Sequence, residues 1–156
     1  MRNSLIQIKF FLKGSETDIG TAKALCDSQG LTENVEWLAP MPLNELFEYY
    51  NDCDVCIDQV GHHWMGAVGA YALYCGRPLI ANARPDVFDG IWGLENPVLQ
   101  ASSVEEIYEH LIRCENIEYR RTLSTRSHFF AAKYLDSEAV YMKYADVLLP
   151  RLNKEI

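Results

Sequence analysis

The feature that most constrains this chain is an alternation: short apolar runs of strand length, each followed by a stretch with helical spacing. Parallel strands need a long crossover and a helix supplies it, so this order predicts a parallel sheet with helices on both faces. Strands are expected at Leu5 to Leu12, Asn34 to Leu38, Asp54 to Asp58, Pro78 to Ala81 and Pro97 to Leu99. Helices are expected at Thr17 to Ser28, Leu43 to Tyr50 and Trp64 to Tyr74, with Gly30 placed as a C-cap and Pro42 in a first turn. Ser103 with Glu106 three residues on reads as a capping box for a helix burying Val104, Ile107, Leu111 and Ile112. Ile117 to Leu152 reads as helix with a break near Leu135-Asp136, ending at Pro150, and these last helices are expected to pack across the sheet. Ala83 to Asn96 is expected to be a surface loop.

The segment from Val55 to Gly76 holds a single acidic or strongly basic residue, Asp58, in a chain that otherwise carries a net charge of -8. Its small residues at Gly66, Ala67, Gly69, Ala70 and Ala72 let a helix lie close against a sheet, and the cost in helix propensity, up to about 1 kcal/mol for each glycine, implies that packing or ligand approach decides the conformation. At 156 residues the chain has the length of one domain, 1–156. The acidic balance argues against a nucleic-acid partner, and no apolar run approaches the roughly 20 residues of a membrane span. Five cysteines without a secretion signal suggest reduced thiols and a cytoplasmic setting.

The wording of these pieces resembles the C-terminal half of the group 1 type retaining GT-B glycosyltransferases. LTENVEWLAPMPLNELFEYYNDCDVCIDQ looks like the family's strand-helix-strand, and HWMGAVGAYALYCGRPLIA looks like its Gly-rich turn, helix and CGxPxI strand. ENPVLQASSVEEIYEHL and the run Thr125 to Asp136 extend the match. The resemblance implies a Rossmann-like three-layer α/β/α domain that holds a nucleoside diphosphate sugar, with no metal and no other cofactor. Aligned on Cys75-Gly76-Arg77-Pro78, the family's two motif glutamates fall on His63 and Tyr71, so both carboxylates are replaced. The match begins at what resembles the family's second strand; without the first, the Rossmann order becomes 2-1-3-4-5 over about five strands, itself a doubly wound sheet.

That order puts a ligand crevice between Lys13, Gly14 and Ser15 on one side and Asp58 to Gly66 on the other. Trp64, Met65, Gly66 and Ala67 form the helix start, where free amides and the dipole's positive end suit an anion. The competing reading is that Gly66 and Gly69 serve helix-sheet packing. Lys13 could add a charge, Ser15 a hydroxyl, and Arg84 a diphosphate contact. Asp58 and Gln59 stand at a strand's carboxyl end, where Asp58 serves either a ligand or a turn. His63 is a weak acid-base candidate beside His62, and Tyr71 offers a hydroxyl to a ribose or is a core residue. Cys53-x-x-Cys56 before His62 and His63 has the residue types of a zinc site. On a strand, however, a spacing of three points the thiols to opposite faces, so no metal is expected.

The functional expectation is a nucleotide-sugar-binding half of a GT-B enzyme, inactive alone and completed by a separate acceptor-domain chain or a homodimer. The alternative is a non-catalytic binding or interaction module that kept the fold. A flavodoxin-like receiver or flavin protein is weaker, since the acidic cluster expected after its first strand is absent from the sequence.

Overall fold

A computed structural model describes residues 7–11, 16–61, 64–84, 86 and 95–152. The chain forms two compact units, Met1–Glu45 and Leu46–Ile156.

In the first unit, β1 (Ile8–Phe11) and β2 (Val35–Leu38) pair in parallel, from Ile8 opposite Val35 to Phe11 opposite Leu38. The crossover between them is α1 (Glu16–Ser28) followed by a single 3-10 turn at Thr32–Asn34. Helix α1 stops at Gly30, whose φ of 68° is open to glycine without a Cβ penalty. There the Leu31 amide reaches back to Cys26 O and the Gly30 amide to Asp27 O, a Schellman closure. The expected apolar stripe of α1 is only half realised: Ile19 and Cys26 are half-buried, Ala22 is exposed and Leu25 is 62% exposed. Two strands and one helix offer too little surface to cover it. Lys23 instead lies over the Trp37 ring at 5.6 Å.

The second unit starts within α2 (Leu43–Asp52) and holds a three-stranded parallel sheet, β3 (Cys56–Ile57), β4 (Leu79–Ala81) and β5 (Leu99–Gln100), in that order. Cys56 pairs with Leu79, and Ile80 pairs with both Ile57 and Leu99. Strand β4 is central and fully buried, and its period-2 alternation divides the core. Leu79 and Ala81 face a cluster with Tyr50, Met65, Ala72, Leu73 and Phe130. Ile80 belongs to a second, with Leu99, Ala101, Cys114 and Leu123. Helices α3 (Ala67–Tyr74), α4 (Val104–Cys114) and α5 (Ile117–Phe130) flank these clusters together with α2. The described pairings thus make two sheets, β1-β2 and β3-β4-β5, where the sequence suggests one of five strands.

Two boundary expectations hold at atomic detail. The Ser103 hydroxyl accepts from the Glu106 amide at 3.2 Å while the Glu106 carboxylate accepts from the Ser103 amide at 3.2 Å, closing the capping box. The break falls where expected: a π turn at Ala131–Leu135 closes with Asp136 N on Ala131 O, and Asp136 then caps α6 (Ser137–Leu152) through the Glu138 amide.

The stripe assigned to α4 differs. Val104 is 76% exposed, and Leu111 and Ile112 are exposed too, leaving Ile107 and Cys114 to make the contact with the Ile80 cluster. A two-residue β5 covers little of the helix above it, so its apolar periodicity exceeds the surface available. Among the described residues no helix is long and apolar enough to cross a membrane.

Candidate functional site

The carboxyl ends of β3, β4 and β5 gather a set of polar groups, the position where parallel α/β sheets hold ligands. Strand β3 runs into Asp58 and Gln59, β4 into Asn82 and Arg84, and β5 ends on Gln100. Asn82 is buried and organises this edge. Its Nδ2 donates to Gly61 O, and its Oδ1 accepts from the Arg84 amide at 3.0 Å and from Gln100 Nε2 at 3.2 Å. Its own amide donates to Gln59 O at 2.8 Å. Gln100 in turn accepts from the Ala83 amide at 2.6 Å. A buried amide with these partners fixes the turn after β3 to the one after β4.

The start of α3 is built differently from the sequence expectation. The helix begins at Ala67, with Gly66 as an extended N-cap, and the cap is supplied from afar. Asp58 Oδ2 accepts from the Gly66 amide at 2.7 Å and from the Gly69 amide at 3.0 Å. A carboxylate here satisfies two donors and sits favourably on the helix dipole. It also occupies the position an anion would take on those two amides. The amides of Ala67 and Val68 have no acceptor among the described residues.

The glycines separate by role. A Cβ on Gly69 would lie 2.8 Å from Asp58 Oδ2, 2.9 Å from Met65 Cβ and 3.1 Å from Leu79 Cδ2, so Gly69 serves close packing of α3 on β4 and on its cap. A Cβ on Gly66 would meet Gln59 Nε2 at 3.0 Å, the end of a flexible side chain. Gly76 has φ of 66° and ends α3 in a second Schellman closure, with Arg77 N on Ala72 O and Gly76 N on Leu73 O.

Of the other predicted site residues, Ala67 is exposed, Trp64 and Tyr71 are half-buried, and Met65 is buried in the core. Tyr71 stands edge-on to Phe47 with ring centroids 5.6 Å apart. Arg84 has a left-handed φ of 42° and forms a forked pair with Asp86 at 2.7 and 2.9 Å. That pairing holds the Asp86 carboxyl below the usual carboxylate range, the hydrogen bonds being the larger cause. Lys13, Gly14, Ser15, His62 and His63 lie outside the described residues.

This architecture recurs in known enzymes. Sucrose-phosphate synthase of Thermosynechococcus elongatus superposes with a TM-score of 0.74 at 17% identity, over 95% of this chain and 39% of that one. HepE of Anabaena in complex with UDP gives 0.71 at 18%, over 93% and 41%. WaaG, a glycosyltransferase involved in lipopolysaccharide biosynthesis, gives 0.59 at 15%, over 90% and 37%. The fold is that of part of a GT-B glycosyltransferase. The chain spans about two fifths of the length of these proteins. No protein-family model and no curated protein matches the chain by sequence.

Sequence reasoning missed Asn82 and Gln100. The available signal was a polar residue placed directly after the apolar run Pro78 to Ala81 and another two positions after Val98. It also left Asp58 undecided, because a cap eight residues upstream of Gly66 lies beyond the local pattern by which N-caps are recognised.

Proposed function

We propose that this chain is the nucleotide-sugar-binding, C-terminal-type half of a GT-B glycosyltransferase. The observation that supports it best is the likeness, over 93% of this chain, to HepE, a protein seen in complex with UDP. In this reading Asp58 stiffens the start of α3, and a diphosphate accepts from the remaining amides of Ala67 and Val68. His63 is assigned to the sugar. Gln59, Trp64, Met65 and Gly66 shape the wall, and Tyr71 offers a hydroxyl to a ribose. The protein is cytoplasmic and does not turn over alone. Sugar transfer needs water excluded and an acceptor aligned, which an acceptor-domain chain or a homodimer would supply.

Thermal unfolding against a panel of nucleoside diphosphates and their sugars tests this. A ligand at about 100 times its Kd adds about 2.7 kcal/mol, a readily visible shift. Saturable stabilisation by a member of the panel supports the proposal, and silence across it refutes it.

One observation favours a second reading. The Asp58 carboxylate on Gly66 and Gly69 places negative charge beside the diphosphate position. A non-catalytic module that kept the fold would tolerate this at no cost. Its signature is the same thermal stability with and without every nucleotide.

A further inference from the structure

Cys53 and Cys56 are brought together in a way their spacing on a strand would forbid. Strand β3 contains only Cys56 and Ile57, so Cys53 lies before it, on the turn that follows α2. Its amide donates to Tyr49 O at 3.1 Å as a last helical bond, while the Cys56 amide donates across the sheet to Pro78 O at 2.9 Å. The turn folds the two side chains onto each other, with the sulfurs 3.3 Å apart. Both are free thiols, Cys53 half-buried and Cys56 buried.

The surroundings make the two sulfurs unequal. Arg77 donates from Nη1 to Cys53 O at 3.1 Å and from Nη2 to Asn51 O at 2.9 Å, which pins a guanidinium beside the pair. The hydrogen bond shared with Cys56 lowers the Cys53 thiol below its ordinary value and the Arg77 charge adds to this, against burial and the Asp54 charge. The same contact, together with burial, pushes the Cys56 thiol far up. Cys53 Sγ also donates to Tyr50 O at 3.3 Å, and of the two sulfurs Cys53 is the half-buried one and Cys56 the sheltered one, the placement of an attacking and a resolving cysteine.

We propose that Cys53 and Cys56 form a reversibly oxidisable dithiol that hydrogen peroxide converts to a disulfide linking the end of α2 to β3. The Cys53 thiolate attacks one peroxide oxygen: the S–O bond forms, the O–O bond breaks, and hydroxide leaves to take a proton from solvent. The Cys56 sulfur then attacks the Cys53 sulfur: the S–S bond forms, the S–O bond breaks, and the departing hydroxide takes the Cys56 proton. Two electrons pass from the thiols to the peroxide, and two waters result. A small-molecule thiol reverses the step by exchange. The disulfide fixes the turn at Asp54-Val55, and its Cys56 end lies two residues upstream of Asp58, the carboxylate that caps α3. The inference does not rest on nucleotide binding.

The test is peptide mapping of the full chain after limiting hydrogen peroxide and alkylation of the remaining thiols. The expected product carries a Cys53 to Cys56 disulfide, loses two hydrogens, and leaves Cys26, Cys75 and Cys114 alkylated. In Cys56→Ser a sulfenic acid should be trapped on Cys53 by a dione probe. In Cys53→Ser the peroxide reaction should slow by at least roughly tenfold. A bridge from Cys53 to Cys75, or oxidation falling first on Cys26 or Cys75, overturns the proposal. The wild-type map decides even if a variant fails to fold, and restoration by dithiothreitol is required for the reversible claim to stand.

Discussion

Asp58 Oδ2 lies 2.7 Å from the Gly66 amide nitrogen, and this one contact makes a strand end the cap of the next helix. It explains why α3 starts at Ala67 although Trp64, Met65 and Gly66 carry no helix-breaking proline. Asp58→Ala removes the acceptor of two amides and should cost about 1–2 kcal/mol, while Asp58→Asn, which keeps an acceptor, should cost less. Chemical denaturation of the three proteins orders them. Equal stability of the alanine and asparagine variants would show that the cap contributes nothing.

Gly69 and Gly20 should respond oppositely to alanine. Gly69→Ala forces a Cβ against Asp58, Met65 and Leu79 and should destabilise by about 1–3 kcal/mol despite the better helix propensity. Gly20 lies inside α1 with nothing within 4 Å of a Cβ, so Gly20→Ala should stabilise by up to about 1 kcal/mol. Melting curves of the two variants check both signs.

The capping box gives a pH dependence. The backbone amide of Ser102, its hydroxyl and the Ser103 amide all donate to Glu106, holding its carboxyl below the usual glutamate range. A depressed folded value means the contribution is complete above the ordinary pKa of about 4.3 and is lost as pH falls through the folded value. The stability gap between wild type and Glu106→Gln should therefore narrow on acidification. Ser103→Ala should cost about 1 kcal/mol. A gap independent of pH would contradict the assignment.

The exposed apolar residues of α4 sharpen a different contrast. Leu111→Ser or Ile112→Ser should change stability by under about 0.5 kcal/mol, whereas Leu79→Ala, on the fully buried β4, should cost about 2–5 kcal/mol. Urea midpoints of the variants measure it.

Much of the fold could be read in the residues, for local reasons. Gly30, the Ser103-Glu106 pair and the Leu135-Asp136 break act within a few positions of where they stand, and each appears where its chemistry says. Apolar periodicity was a poorer guide to burial on α1 and α4, because it says which face is apolar and nothing of what is available to cover it. Long-range relations were hidden. The Asp58 cap, the Asn82-Gln100 network and the meeting of Cys53 with Cys56 depend on a turn or crossover geometry that no spacing rule carries.

Ala67 gives the most direct test of nucleotide binding. It is the first residue of α3, and its extended neighbour Gly66, with φ of -85° and ψ of -168°, accepts a following proline. Ala67→Pro therefore deletes one amide that has no acceptor among the described residues while leaving the helix in place. Titration calorimetry of UDP and UDP-glucose into both proteins is the measurement. The account predicts one saturable site in the wild type, weakened at least about tenfold in Ala67→Pro at unchanged melting temperature. No heat of binding in the wild type, or equal affinity in the two proteins, would contradict it.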